Sequence, residues 1–134
     1  MSSQNQILYG SPHPRIVRIV LNRIETRNAQ DTALLYALND AFDRAAKDDS
    51  VHVILLAANG PHFSSGHDLR ESHHADHIRS HGAVGVWGSF DGDGAAAMTG
   101  REKELYLGLC DRWRSIPKPT IAEVQGDRVR FADG

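Results

Sequence analysis

The sequence predicts an α/β fold, because two nearly continuous apolar runs flank one amphipathic stretch. Residues 15–21 (RIVRIVL) are β-branched and apolar on both faces apart from Arg18, and residues 51–57 (VHVILLA) form a second such run. Runs of this length and composition suit buried strands. Between them Leu34, Leu35, Leu38, Ala41, Phe42 and Ala45 recur at helical spacing over about residues 31–47, opposite a charged face. Strand, helix and strand in that order imply a right-handed βαβ crossover.

The remaining elements follow from local signals. A shorter strand is expected around Ile7, Leu8 and Tyr9. After the turn at 22–28, Asn28 or Asp31 can cap the helix, since a short side-chain oxygen accepts a bond from an orphan backbone N–H. Asp48, Asp49 and Ser50 end it. Residues 58–66 form a loop containing Asn59-Gly60-Pro61 and Ser64-Ser65-Gly66. Beyond Asp68 the chain is polar and rich in His and Gly. Segment 82–100 has weak periodicity and many breakers, so a mobile, lid-like piece is expected within a loop-like insertion around 72–100. Helical spacing returns with Leu105, Leu109, Trp113 and Ile116, joined by Tyr106 and Cys110, and stops at Pro117. Residues 120–124 (TIAEV) are a last strand candidate. Residues 1–126 read as one partial domain and 127–134 as a frayed tail.

Composition narrows the functional classes. At 134 residues there is room for one domain and one modest core. A net charge of −2 gives no global basic field for nucleic acid or an anionic membrane, so neither is expected as a partner. The single cysteine, Cys110, excludes an intramolecular disulfide framework and a Cys-based zinc cage, and it suits a reducing compartment; on the apolar stripe of its helix, core packing is its default role. The polar N-terminus lacks a signal-peptide core, and no run approaches the ~18 apolar residues of a membrane span. A cytoplasmic location is expected.

The stretch after the second apolar run, Phe63-Ser64-Ser65-Gly66-His67-Asp68-Leu69-Arg70-Glu71, is where chemistry is expected. A strand, a tight turn and a helix leave backbone N–H groups at the helix start without intrahelical partners. Such donors can hold a carbonyl oxygen that becomes negative during reaction. Gly66 permits close approach of a ligand, and Asp68 is suited to capping the first turn. The residues alone also fit a purely structural turn, as Asn28-Ala29 fits a helix cap.

Taken in order, Asn22-Arg23 with Glu25, Arg27-Asn28-Ala29, the helix, Asp48-Asp49-Ser50-Val51, the apolar strand, Gly60-Pro61-His62-Phe63-Ser64-Ser65-Gly66-His67-Asp68-Leu69 and Lys118-Pro119-Thr120-Ile121-Ala122-Glu123-Val124-Gln125-Gly126 resemble the N-terminal part of the crotonase (enoyl-CoA hydratase/isomerase) superfamily. The resemblance implies a superhelix of ββα units that binds acyl-CoA thioesters, hydration of a 2-enoyl-CoA being the commonest reaction. Coenzyme A enters as part of the substrate, and no separate cofactor is implied. Two backbone N–H groups hold the thioester carbonyl, the first at the position of His67, directly after Gly66. Ser65, Asp68 and Leu69 then line the adenine and pantetheine path, Arg70 stands near the CoA phosphates, and Arg27 with Ala29 forms the other wall. One such donor is typically worth ~3 kcal/mol in the transition state. Members are usually trimers or hexamers.

The sequence departs from the pattern at Ile24, where proline is usual, at His67, where alanine is common, and at Phe131-Ala132, which stand in place of a Gly-Gly pair supplying the second donor. No residue matches either catalytic glutamate of a hydratase, and Glu123 is no substitute. The expectation is therefore a chain truncated before the C-terminal half and incomplete for catalysis. Two other readings stay open: a non-catalytic interaction module, and a His-rich metal-binding module. For the latter, His67, His73, His74, His77 and His81 lie within fifteen positions, and in a helix His73, His77 and His81 share one face at i, i+4, i+8, a spacing able to hold zinc or nickel. No HExxH motif supports a metal-bound base, and solvated surface histidines are the plainer reading. Ser64 and Ser65 lack a GxSxG elbow and are read as loop residues.

Overall fold

The computed structural model describes residues 5–126. Four strands, β1 (Ile7–His13), β2 (Ile16–Leu21), β3 (Val53–Ala58) and β4 (Thr120–Ala122), form one sheet in the order β1-β2-β3-β4. The first pair is antiparallel, with Ile7 opposite Leu21; β2 with β3 and β3 with β4 are parallel, placing Val17 beside Ile54 and Ile54 beside Thr120. Helix α1 (Thr32–Lys47) makes the crossover between β2 and β3. The expected strand–helix–strand unit is present. The tail 127–134, with Phe131 and Ala132, lies outside the described residues.

One face of β2 carries the main core. Val17, Ile19 and Leu21 are buried against Leu34, Leu38, Phe42 and Ala45 of α1, with Val51 and Ile54 completing the cluster. The alternate residues Ile16, Arg18 and Val20 are only half-buried, because α1 covers one side of the sheet and Arg18 reaches Glu123 at 3.1 Å on the other. Of the two candidate caps, Asp31 does the work: its Oδ1 accepts the Leu34 N–H at 2.8 Å. At the far end Lys118 Nζ donates to the carbonyls of Ala45 and Asp48, both at 2.8 Å, satisfying orphan acceptors where the helix dipole favours a cation.

The segment expected to be a loop-like, mobile insertion is not all loop. It contains α2 (His74–His81) and most of α3 (Ala95–Lys103), which runs on through a π-helical turn (Glu104–Gly108) into α4 (Leu109–Arg114). Leu35, Tyr36, Ile78, Phe90, Leu105 and Leu109 form a second core. The irregular stretch 82–94 is pinned by two buried charged residues one turn apart. Glu104 accepts from the backbone N–H groups of Val84 and Gly85, from Trp87 Nε1 and from the Tyr36 hydroxyl, at 2.7–3.0 Å. Arg101 Nη1 donates to the carbonyls of Phe90 and Gly92. Polar pins leave no hydrophobic period, so the sequence pattern of this stretch is weak although its anchoring is not. A Cβ on Gly100 would stand 2.1 Å from the Ser89 carbonyl oxygen, which explains a glycine inside this helix. Cys110 is exposed, contrary to expectation: Leu105 and Leu109 turn into the core, and the residues one place further on, Tyr106 and Cys110, turn out of it. No helix among the described residues is long and apolar enough to cross a membrane.

Candidate functional site

The site is built where the turn after β2 meets the loop after β3. Arg27 and Asn28 both adopt left-handed backbone conformations, with φ of 55° and 56°, and asparagine tolerates this better than most residues. The Asn28 side chain is fully buried. Its Oδ1 accepts the Arg23 N–H at 2.7 Å, and its Nδ2 donates to the carbonyls of Asn59 and His62, both at 2.9 Å. Asn28 is therefore no helix cap but a tether between two loops. The Ser64 hydroxyl continues the stitching, donating to the Asn28 carbonyl at 2.9 Å and accepting the Gly66 N–H at 3.1 Å.

From there the two segments run side by side. Ser65 N–H donates to the Arg27 carbonyl, Gln30 N–H to the Gly66 carbonyl, and Asp68 N–H to the Gln30 carbonyl, at 2.8–3.0 Å. Gln30 and His67 thus form a parallel bridge. In such a bridge the groups flanking the middle residue make the bonds, and that residue's own N–H points away from the partner segment. The His67 N–H accordingly has no hydrogen-bond partner among the described residues. Gly66, at φ 96°, makes the bend that presents it.

The local geometry differs from the expected helix start. Helix α2 begins at His74, so no helix N-terminus is aimed at His67. Asp68 instead closes its own short turn, Oδ1 accepting the Arg70 N–H at 2.9 Å, while Oδ2 takes Arg23 Nη1 at 2.7 Å. The hydrogen bond from Arg23 holds the Asp68 carboxyl below the usual range. Arg23 Nη1 also donates to the Ala29 carbonyl. Nothing local in the sequence pairs Arg23 with Asp68, forty-five positions apart.

These pieces enclose an open cleft of about 800 Å³. Arg27, Ala29, Ser65, His67, Asp68, Leu69 and Arg70 all line it, so the residues that the resemblance assigns to CoA come together in one place, while Gly66 is not among the lining residues. Leu69 is 95% exposed. Arg23, Glu71 and His77 line it too, although the sequence reading gave none of them a place among the CoA-binding residues.

Glu71 lies at the α1 side of the cleft. Its carboxylate accepts from the Thr32 N–H at 3.2 Å and the Thr32 hydroxyl at 2.9 Å, and meets Nδ1 of His74 at 2.8 Å and of His77 at 3.1 Å. Burial pushes the carboxyl up, but the hydrogen bonds from His74, His77 and Thr32 outweigh it and leave Glu71 below its ordinary value. The helical row His73, His77, His81 does not form: His73 precedes the helix with φ 55°, His77 is held by Glu71, and the ring of His81 stacks on Tyr36 at 4.6 Å. Among the described residues no three His, Cys, Asp or Glu side chains converge on a position able to hold a metal.

The family model for enoyl-CoA hydratase/isomerase matches residues 13–86, more than half of the chain and the whole of the cleft. The chain belongs to the enoyl-CoA hydratase/isomerase family. EchA13 of Mycobacterium tuberculosis, assigned by name to the enoyl-CoA hydratases, is 40% identical over 119 residues, covering 84% of this chain and 36% of its own length. The 2,3-dehydroadipyl-CoA hydratase of Escherichia coli K12 is 36% identical over 119 residues, covering 89% and 38%. The crystal structure of an enoyl-CoA hydratase/isomerase from Xanthobacter autotrophicus superposes with a TM-score of 0.68 at 31% identity, covering 92% of this chain and 40% of that one. The chain thus spans about two fifths of the length of these relatives, and its α/β fold is the N-terminal part of the crotonase fold.

One feature of this family member is its own His67 ring, which packs edge-on against Tyr106 of the π-helical turn, centroids 4.3 Å apart. Burial, and secondarily the neighbouring His74, lowers the His67 imidazole below its ordinary 6.5. A proton NMR titration is expected to give His67 a midpoint below 6.5, and Tyr106→Ala, which removes the cover, to move that midpoint upward.

Proposed function

We propose that this chain binds the CoA part of an acyl thioester in the cleft lined by residues 27–31 and 65–72 and holds the thioester carbonyl on the His67 N–H. The reading rests on that unpartnered donor, which belongs to a residue lining the same cleft as every residue the family resemblance assigns to CoA. Arg70 and Arg27 supply cationic groups for the phosphates, and the backbone of Ser65, Asp68 and Leu69 the edge for adenine and pantetheine. A delocalised enolate oxygen is stabilised by a donor that is fixed beforehand and needs no reorganisation. Hydration of a 2-enoyl-CoA is the reaction we assign to the whole protein, in keeping with the names of the relatives. The second donor and the proton-transfer glutamates of that reaction match no residue of this chain, so we assign this chain binding and not hydration.

Calorimetry with acetoacetyl-CoA is the test. Binding is expected at sub-millimolar ligand, with a downfield shift of the His67 amide in a nitrogen-15 correlation spectrum. Arg70→Ala is expected to weaken it five- to tenfold, about 1–1.4 kcal/mol. No binding by a folded sample at millimolar ligand, or an unmoved His67 amide, would overturn the reading. The alternative of an interaction module draws support from the edge strand β4 and the residues just after it, where Ile121 and Val124 are more than half exposed. Crotonyl-CoA hydration by the chain itself would exclude that alternative.

A further inference from the structure

Glu71 makes more bonds than its place beside α1 requires. Its side chain is 8% exposed, and the two Thr32 donors would suffice to satisfy the start of the helix. It nevertheless holds two imidazoles by Nδ1. A carboxylate accepts and does not donate, so each Nδ1 carries a proton, and in the neutral ring the basic lone pair is then on Nε2. The two rings then differ in what they can reach. His74 also lies 3.4 Å from the Thr32 hydroxyl and is not part of the cleft lining. His77 lines the cleft, its side chain is 53% exposed, and its Nε2 has no partner among the described residues.

An imidazole whose tautomer and orientation are set by a buried carboxylate, with its other nitrogen free at a ligand cleft, is arranged as a general base. We propose that His77 is a proton-transfer residue of this cleft, acting on C2 of a bound acyl thioester, with Glu71 as its positioning residue. The proposal rests on the cleft being the thioester site. In the step, the Nε2 lone pair bonds to a C2 proton. The C–H electron pair moves into the C1–C2 bond, and the carbonyl π pair moves onto the thioester oxygen, where the His67 N–H meets the charge. The imidazolium then exchanges its proton with solvent and returns one to C2. No oxidant or co-reactant enters. In D2O the net change is replacement of C2 hydrogen by deuterium.

The experiment is hydrogen exchange at C2 of acetyl-CoA in D2O, followed by proton NMR with the full chain, with calorimetric binding measured on the same samples. Exchange at least a hundredfold above the enzyme-free rate is expected. His77→Gln, which keeps a donor for Glu71 but has no basic nitrogen, is expected to lower it ~100-fold with binding retained. The exposed His52, outside the cleft, serves as control, and His52→Gln is expected to exchange like the parent. Nitrogen-15 shifts are expected to show His77 as the Nδ1–H tautomer, and Glu71→Gln to redistribute it towards Nε2–H while slowing exchange; a merely structural Glu71 would not set the tautomer. Bound ligand without exchange, exchange undiminished in His77→Gln, or an Nε2–H tautomer in the parent would overturn the dyad alone. Absence of binding would overturn the thioester reading and the dyad with it.

Discussion

Asn28→Ala is expected to destabilise the protein by about 4 kcal/mol and to abolish CoA binding with it. The side chain is fully buried and makes three hydrogen bonds, one received from the Arg23 N–H and two given to the carbonyls of Asn59 and His62. Alanine removes all three and leaves one donor and two acceptors without partners, each at roughly 1–3 kcal/mol before water enters. It also places a Cβ residue with no local polar compensation at φ 56°, a further cost of about 1 kcal/mol. Asn28→Gly relieves only the backbone part and is expected to recover about 1 kcal/mol. Asn28→Asp keeps an acceptor for Arg23 but turns a second oxygen towards two carbonyls, so it is expected to be no better than alanine. Urea unfolding midpoints at constant slope measure all three. A loss below 1 kcal/mol in Asn28→Ala would mean that the two loops are held together by other contacts. Binding falls with stability because the tethered loop carries Ser64, whose hydroxyl in turn fixes Gly66 and the bend before His67.

The difference between Asn28 and Asp31 shows what was legible in the sequence. Both were candidate caps, since local spacing sees only that a short oxygen precedes a helix. Asp31 is the cap, a contact made three residues away. Asn28 reaches residues more than thirty positions distant, and no periodicity encodes that. The β2–α1–β3 unit was readable because a strand or helix that buries one face must repeat its apolar residues at a fixed period. The seven residues assigned to CoA come from the family resemblance, and the structure gathers them in one cleft; spacing alone leaves Gly66-His67-Asp68 equally a plain turn. Arg23 with Asp68, and Glu71 with Thr32 thirty-nine positions earlier, were invisible for the same reason as the Asn28 tether. The histidines misled in another way: a helical row at i, i+4, i+8 presupposes that the helix starts at His73, whereas it starts one residue later and its imidazoles already have other partners.

Glu104→Ala is expected to have the other large effect, about 5 kcal/mol, on a quite different part of the molecule. Four donors converge on this carboxylate: the Tyr36 hydroxyl, the N–H groups of Val84 and Gly85, and the Trp87 indole. Replacing both sides of a buried hydrogen bond by apolar atoms can be nearly neutral, but removing one side strands the other, and here one substitution strands four. The loss should appear first in stretch 82–94, as accelerated amide exchange at Val84 and Gly85 and a red-shifted Trp87 emission. Tyr36→Phe is the milder partner, removing one donor and leaving three, and is expected to cost about 2 kcal/mol. It also has a pH signature. Burial, then the hydrogen bond to Glu104, raises the Tyr36 phenol above its ordinary 10.0, so the folded protein keeps a proton that the unfolded chain releases. The stability from Tyr36 is therefore complete below pH 10 and declines as pH rises above it, by up to ~1.4 kcal/mol per pH unit. Tyr9 and Tyr106 are raised as well, so Tyr36→Phe should flatten the alkaline decline without abolishing it. An unchanged decline in that variant, measured by urea unfolding between pH 9 and 11, would show that the phenol does not keep its proton against Glu104.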